Sequence, residues 1–242
     1  HAYLFVGPPQ VGKETLAINL AQTLNCTDMT PPCGYCAPCK RIFDRKHADV
    51  STIKRSSETD VIHRDQILDM QHSANLPPYE GKYRIYIIDG AESLSTEAAS
   101  ALLKNLEEPI PGVIFLLLTA NEELVLPTIR SRCRRMELRP MKVGAVTKEL
   151  QDVYGQDMGQ AQELAGYSQG CLGRAVDAIY EPSKIESWRH SLDLALQLER
   201  LPLDECLNEI ARLADRFGRN RSYMKQVLGW WEELWMDMLL II

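Results

Sequence analysis

A glycine-rich segment near the start of the chain has the spacing of a phosphate-binding loop. Residues 7–13 have the sequence GPPQVGK, which fits the pattern G-x-x-x-x-G-K. The glycines would let backbone N–H groups turn toward phosphate oxygens, and Lys13 would reach the β- and γ-phosphates. A helix beginning directly after the loop would add favourable partial positive charge. The spacing predicts a nucleotide-binding loop, with a plain Gly/Pro turn between strand and helix as the alternative.

Glu14 departs from this pattern. The motif normally continues with Ser or Thr, whose hydroxyl holds Mg²⁺. Thr15 follows, but a helix turns about 100° per residue, so the two side chains point in different directions. A carboxylate beside a triphosphate should weaken binding unless it turns to solvent. The sequence therefore leaves open whether ATP and Mg²⁺ are bound.

An acidic residue ends one of the apolar segments. Residues 84–89, RIYIID, place Asp89 at the carboxyl end of a buried strand, where a Walker-B Asp supports Mg²⁺. The alternative is an ordinary turn residue after a strand. The candidate nucleotide-binding residues are therefore Gly7, Pro8, Pro9, Gln10, Val11, Gly12, Lys13, Glu14, Thr15 and Asp89.

Four of the seven cysteines crowd into a short segment after the first helix. Zn²⁺ takes four thiolates tetrahedrally, and such sites are structural rather than catalytic. Without a secretory signal, the cluster favours metal ligands over disulfides and a cytoplasmic location. The alternatives are unmetallated thiols or a redox pair. A zinc ion would organise a loop too short to bury a core, or present a surface to a partner. The predicted ligands are Cys26, Cys33, Cys36 and Cys39.

The bulk composition narrows the class of protein. The chain has 242 residues, of which 45% are hydrophobic and 25% charged, as in ordinary globular proteins. A net charge of −6 gives no overall basic footprint for nucleic acid. The sequence has no run of 18 apolar residues, so no membrane-spanning helix is predicted.

Short apolar runs alternate with helical periods in the first half of the chain. Strands are predicted at residues 2–6, 49–54, 84–88, 113–119 and 135–138, and helices at residues 13–25, 61–74 and 96–106, the last capped by Ser95. This alternation predicts an α/β fold with a parallel sheet covered on both faces. Beyond about residue 142 only helical patterns follow.

The last helical pattern carries a broad apolar stripe. Its members are Trp230, Trp231, Leu234, Trp235, Met238 and Leu239. The stripe is either intrachain core or an oligomer contact. Because the chain opens inside a strand at His1 and stops in a helical pattern at Ile242, both ends are expected to continue beyond the given sequence.

Together these motifs point to a known family. The loop GPPQVGK, the cysteine cluster, ASALLKNLEEP at residues 99–109 and LPTIRSRC at residues 126–133 resemble the clamp-loader subunits of bacterial DNA polymerase III, which are AAA+ proteins. The resemblance implies an AAA+ P-loop domain at residues 1–140 with the zinc module at residues 26–40. It further implies a helical lid at residues 141–181 and a truncated helical collar at residues 182–242.

Two subunit types share this zinc module: ATP-hydrolysing gamma/tau motors and delta-prime subunits with a degenerate nucleotide site. The chain is more similar to the second type at three positions. Glu14 replaces the Ser/Thr of the loop, and Gly90 replaces the Glu that follows the strand-end Asp in the motors. Gly173 stands where the motors carry a nucleotide-sensing Arg. The family's sensor residue at the end of the VIFLLLT strand corresponds to either Thr119 or Asn121.

Arg132 is the candidate catalytic residue that the resemblance implies. Ser131-Arg132-Cys133 matches the family's S-R-C motif, whose Arg reaches into a neighbour's ATP site as an arginine finger. The alternatives are a solvated basic face or contact with DNA phosphates.

The resemblance implies a hetero-oligomeric partner set of gamma/tau and delta subunits, the sliding clamp and primed DNA, without a membrane. The chain would help load the clamp as part of the polymerase holoenzyme, without catalysis of its own. Two alternatives stay open: a motor ATPase using Lys13 and Asp89, and a zinc-bearing AAA+ DNA-binding module.

Overall fold

The chain forms two compact units in a computed structural model that describes residues 1–56, 59–219 and 221–241. The first unit contains His1–Lys142 and Gln169–Gly173. The second contains Val143–Ser168 and the helices from Arg174 onward. The division of the helical region at residue 181 stays a prediction.

A five-stranded parallel sheet forms the centre of the first unit. Its strands are β1 (Ala2–Val6), β2 (Val50–Lys54), β3 (Arg84–Asp89), β4 (Val113–Thr119) and β5 (Arg134–Glu137), in the order β2-β3-β4-β1-β5. The interior strands are nearly continuous apolar runs because both faces of the sheet are covered. The predicted parallel α/β architecture is confirmed.

Helices pack on both faces of this sheet. They are α1 (Lys13–Asn25), α2 (Ala37–Phe43), α3 (Arg64–Ala74), α4 (Thr96–Glu107) and α5 (Pro127–Arg130), with 3₁₀ turns at Ala91–Ser93 and Glu122–Leu124. Successive strand residues point to opposite faces, so Leu4 packs with α3 and α4 while Phe5 packs with α1 and α2. Two apolar layers therefore fix the sheet between the helices.

The register of the strands brings their carboxyl ends to one edge. Lys54 lies opposite Asp89, and Val6 lies opposite Thr119. In open α/β sheets this edge is where ligands bind. The phosphate loop, which follows Val6, therefore lies beside the ends of the other strands.

The second unit is entirely helical in its described residues, as predicted. It contains α6 (Val143–Asp152), α7 (Met158–Ser168), most of α8 (Leu172–Tyr180), α9 (Ser183–Leu198), α10 (Leu203–Arg219) and α11 (Arg221–Ile241). The last residue of the predicted final helix, Ile242, lies outside the described part of the chain. No described helix has the length and apolar character needed to cross a bilayer.

The apolar stripe of α11 is divided between core and surface. Trp230 is buried, and the Trp231 indole N–H donates to the Ser191 carbonyl oxygen at 2.8 Å on α9. Trp235 and Leu239 are exposed. The first part of the stripe is therefore intrachain core.

Several short elements differ from the sequence prediction. Helix α3 begins at Arg64 rather than residue 61, because Ile62 forms a β-bridge with Leu94. The Gln66 side chain accepts the His63 N–H at 2.9 Å and fixes that start. Helices α2 and α5 were not predicted, because seven and four residues are too few to show an apolar period.

Candidate functional site

The phosphate loop joins β1 to α1 through a tightly constrained backbone. The Gly7 N–H donates to the Thr119 carbonyl oxygen at 3.2 Å, and a Cβ at this position would lie 2.4 Å from the Leu138 carbonyl oxygen. Gly12 has φ +105°, in the left-handed region that favours glycine, and precedes the first turn of α1. Both glycines of the motif are thus required by the geometry.

The Lys13 side chain folds back over the loop. Its Nζ donates to the carbonyl oxygens of Gly7 at 2.7 Å and Pro8 at 2.8 Å. Burial lowers the pKa of the Lys13 ammonium, and the carboxylates of Glu92 and Asp89 oppose that effect. The lysine and the strand-end Asp, both expected at this site, therefore lie close enough to interact.

Glu14 is held by two cations in the first turn of α1. Its Oε1 lies 2.8 Å from Arg45 Nη2 and 3.0 Å from Lys54 Nζ. Lys54 Nζ also lies 3.7 Å from Asp89 Oδ2, so one ammonium interacts with both carboxylates. Thr15 is exposed. Lys54 was not among the predicted site residues, although its place at the end of β2 follows from the predicted strand.

Gly90 lies directly after Asp89 and packs against a basic side chain. It has φ +90°, and its N–H donates to the Leu118 carbonyl oxygen at 3.1 Å. A Cβ here would lie 3.2 Å from Arg55 Nε. A side chain at residue 90 would therefore meet both backbone strain and Arg55.

Gly173 rests on the phosphate loop itself. Its N–H donates to the Gln10 carbonyl oxygen at 3.1 Å, and a Cβ would lie 2.7 Å from the same oxygen. Gln10 has φ +61°, which is uncommon for a residue other than glycine. The contact of Gly173 with the loop is backbone to backbone.

The two candidate sensor residues form local hydrogen bonds at the end of β4. The Thr119 hydroxyl donates to the Asn121 carbonyl oxygen at 2.9 Å and accepts the Asn121 N–H at 3.2 Å. The Asn121 side-chain oxygen accepts the Glu123 N–H at 2.9 Å and caps the following 3₁₀ turn. Both polar groups therefore stabilise the turn after β4.

The four clustered cysteines converge on one point. Their Sγ atoms all lie within 4.8 Å of one another, with Cys26 to Cys36 at 3.9 Å and Cys33 to Cys39 at 4.0 Å. Four thiolates around a tetrahedral Zn²⁺, with Zn–S bonds near 2.3 Å, are about 3.8 Å apart. A disulfide would need about 2.05 Å. The donor set and its spacing therefore fit a zinc ion.

The surroundings of the cysteines lower the thiol pKa of Cys26 and Cys36 and raise that of Cys33 and Cys39. The backbone N–H groups of Asp28 and Cys36 donate to the sulfurs of Cys26 and Cys33. Backbone hydrogen bonds from Thr27 and Cys39 lower the pKa of the Cys36 thiol to about 6. Burial raises the pKa of the Cys39 thiol to about 12, so that sulfur needs a metal to be held as a thiolate.

The cysteine segment is anchored to α1. The Gln22 side chain on this helix donates to the Cys39 carbonyl oxygen at 2.9 Å, in a buried position. Helix α2 ends at Phe43, and Arg45 follows with φ +57°, a left-handed residue just past the helix end. The end of the cysteine segment thus places Arg45 next to Glu14.

Arg132 lies between α5 and β5, on the exposed side of the first unit. Its Nη1 donates to the Thr128 carbonyl oxygen at 2.9 Å, and its Nη2 lies 2.7 Å from Glu107 Oε1. Glu107 belongs to the ASALLKNLEEP segment, so this ion pair joins two of the motifs that carry the family resemblance. Glu107 was not predicted from the sequence as a partner of Arg132.

A buried ion pair that the sequence did not suggest supports the start of β2. The fully buried Asp49 carboxylate accepts the backbone N–H groups of residues 79–81 and pairs with Arg84 at 3.0 Å. Burial alone would raise the pKa of Asp49, but these donors lower it to about 2. This pair is structural.

Comparisons with known proteins identify the family. Residues 1–142 match the family described as "DNA polymerase III, delta subunit". The chain belongs to this family. The clamp-loader resemblance and the AAA+ fold inferred from the motifs are therefore confirmed.

Similar proteins include tau and gamma subunits of DNA polymerase III. The chain is 36% identical over 159 residues to "DNA polymerase III subunit tau" of Escherichia coli K12. The aligned region covers 65% of this chain and 24% of that protein. It is 32% identical over 183 residues to the gamma subunit of Buchnera aphidicola, covering 74% and 49%. The chain thus spans a quarter to a half of the length of these relatives.

The fold is shared with RuvB. A mutant of Thermotoga maritima RuvB superposes with a TM-score of 0.50 at 15% identity, covering 88% of this chain and 62% of that one. This likeness concerns the fold alone.

Proposed function

We propose that the chain is a clamp-loader subunit of the delta-prime type, with a phosphate loop that keeps its shape and has lost hydrolysis. In this role it assembles in the cytoplasm with gamma/tau and delta subunits. The complex opens the sliding clamp and places it on primed DNA. The chain contributes a rigid scaffold and an arginine finger.

The contact of Gly173 with Gln10 is the observation that carries this proposal. The motor subunits resemble one another in carrying an Arg at this position. Here a Cβ would lie 2.7 Å from a backbone oxygen, so no side chain fits without moving the loop. Gly90 adds a second constraint, because its positive φ and Arg55 disfavour a Glu after Asp89. These departures from the motor pattern are built into the packing around the loop.

Arg132 supplies the active part of the proposed role. Its ion pair with Glu107 is partly exposed, at 36% and 51% of the two side chains, so it costs little to break. A guanidinium released from Glu107 can reach outward to a neighbouring subunit. There it would stabilise charge on a transferring γ-phosphoryl group, an effect worth about 10³-fold or more in rate.

The cysteine cluster has a structural role in this proposal. Cys26, Cys33, Cys36 and Cys39 would hold one Zn²⁺, leaving no ligand position for substrate. The ion would stabilise residues 26–43 and the position of Arg45.

Reconstitution tests the proposed function. The chain alone should show no ATP turnover with clamp and primed DNA, and it should restore clamp loading to a gamma/tau and delta mixture. In that complex, Arg132→Ala should lower hydrolysis at the one adjoining ATP site by about 10³-fold, measured as a partial loss of clamp-stimulated ATPase. Arg134→Ala, an exposed neighbour on β5, is the matched control. Turnover by the isolated chain at a motor subunit's rate would overturn the proposal.

A motor ATPase is the second candidate, and the identity to tau and gamma subunits favours it. Lys13 and Asp89 would then be the working residues. Lys13→Ala separates the candidates: it should leave the ATPase of the reconstituted complex unchanged under the delta-prime assignment, and abolish this chain's turnover under the motor assignment.

A further inference from the structure

The position that Mg²⁺ occupies in P-loop proteins has different chemistry in this chain. In such proteins the ion lies between the hydroxyl that follows the loop lysine and the strand-end Asp. Here those two positions are Glu14 and Asp89. Lys54 Nζ lies 3.0 Å from the first carboxylate and 3.7 Å from the second.

This arrangement does not fit a divalent ion. The two carboxylates are already balanced by two cations, Lys54 and Arg45. Glu14 Oε1, which both cations contact, is shielded from solvent. A Mg²⁺ ion bound by Glu14 and Asp89 would lie close to the Lys54 ammonium, and like charges at such distances repel strongly.

The fold holds each cation in place. Lys54 ends β2, and the register sets it directly opposite Asp89 on β3. Arg45 follows α2 in a left-handed conformation and also donates to the Thr52 hydroxyl at 3.3 Å. Both cations are therefore positioned by the chain's own backbone and side chains.

We propose that the Lys54 ammonium substitutes for the divalent cation, so that this phosphate loop excludes Mg²⁺ and is balanced by the chain's own charges. The inference deepens the proposed function and rests on it in one respect, because a hydrolysing motor would need the metal. Lys54 is thus the specificity-determining residue of the site, selecting against the metal.

Removing Lys54 should create a metal site. Without the ammonium, Glu14 and Asp89 present carboxylate oxygens to the same space, the donor type that Mg²⁺ and Mn²⁺ prefer. Mn²⁺ is the probe, because its free and bound forms are distinguished by electron paramagnetic resonance.

The experiment titrates Mn²⁺ into the zinc-loaded full chain without nucleotide. The unsubstituted chain should bind no Mn²⁺ that depends on Asp89. Lys54→Met should gain one site that binds Mn²⁺ at least tenfold more tightly than the background binding of the unsubstituted chain, and adding Asp89→Asn should remove this site. Lys46→Met is the matched control, because Lys46 is exposed and lines, together with Lys54, a cleft of about 550 Å³. This variant should gain no metal site. Lys54→Arg should keep the exclusion.

Two results would overturn the inference. One is an Asp89-dependent Mn²⁺ site in the unsubstituted chain. The other is a folded Lys54→Met chain that gains no site; circular dichroism establishes folding, and if that variant does not fold, Lys54→Gln takes its place. Because no nucleotide is present, this measurement can fail while the chain alone still lacks ATP turnover, so the two proposals fail separately.

Discussion

The cysteine cluster at residues 26–39 and the phosphate loop lie in the same unit, and their side chains differ in how well they suit a metal ion. Around the cysteines, four sulfurs converge at distances that suit a tetrahedral ion. Around the loop, Glu14 and Asp89 share Lys54 instead. The difference shows that anionic side chains attract a metal ion where no cationic side chain of the protein already neutralises them. Four clustered thiolates would require a cation from solution, whereas two carboxylates beside a lysine and an arginine do not.

The two regions are connected through Arg45. This residue follows helix α2 of the cysteine segment and pairs with Glu14 at 2.8 Å. Helix α2 is only seven residues long, too short to be stable alone. A metal ion bound by the cysteines should therefore help to hold the Arg45 side chain beside Glu14.

Loss of the zinc ligands should have the largest effect. Cys39→Ser should release the metal and unfold residues 26–43, because zinc binding supplies the folding free energy of such modules. Metal analysis and a thermal melt measure the effect. Cys206→Ser, a lone cysteine on α10, is the control and should change stability by less than about 0.5 kcal/mol. An equally stable chain without zinc would contradict the assignment of the module as a metal site.

Mutation of the buried ion pair between Asp49 and Arg84 should lower the stability of the fold more than mutation of the half-exposed Lys54 or Arg45. Asp49→Ala leaves Arg84 buried without its carboxylate and should lower the free energy of unfolding by about 3–5 kcal/mol. Denaturant titration measures this loss. Asp44→Ala, at an exposed position, should cost little; an equal loss there would show that the effect is not specific to the pair.

The same carboxylate should make stability depend on pH. The pKa of Asp49 is about 2 in the folded chain, below its unfolded value near 3.9. Its stabilisation is therefore full above about pH 4 and is lost as the pH falls toward 2, an effect of roughly 2–3 kcal/mol. Unfolding free energies between pH 5 and 2 check this, and Asp49→Asn should flatten the dependence.

A single methyl group tests how closely the loop is packed. Gly173→Ala should destabilise the chain by about 1–3 kcal/mol, because its Cβ meets the Gln10 carbonyl oxygen. Gly166→Ala, in α7 with open space around it, should instead stabilise by up to about 1 kcal/mol. If both variants melt alike, the backbone contact of Gly173 is not a constraint on the loop.

The smallest expected effect is that of Mg²⁺ on nucleotide. ATP titrated by calorimetry should bind no more tightly with Mg²⁺ than with EDTA, because Lys54 occupies the position of the ion. A tenfold gain with Mg²⁺ would remove the contrast between the two regions.

Much of the first unit was predictable from local patterns. The apolar runs of β1, β3 and β4 stand out because both faces of a parallel sheet are buried. Ser95 was identifiable as a cap, and its side chain accepts the Ala98 N–H at 3.1 Å. The loop and the cysteine cluster were recognisable because their function needs fixed spacing between near neighbours in the chain.

The sequence alone thus determined the strands, the longer helices, the family and the candidate residues for metal and phosphate binding. It did not determine which charges meet. Lys54 reaches Glu14 and Asp89 because the parallel register aligns the ends of β2 and β3 beside α1. Gly173 reaches Gln10 because the chain returns to the first unit at residues 169–173. Only the tertiary structure decides such contacts, since electrostatic and steric interactions act across space between residues far apart in the chain.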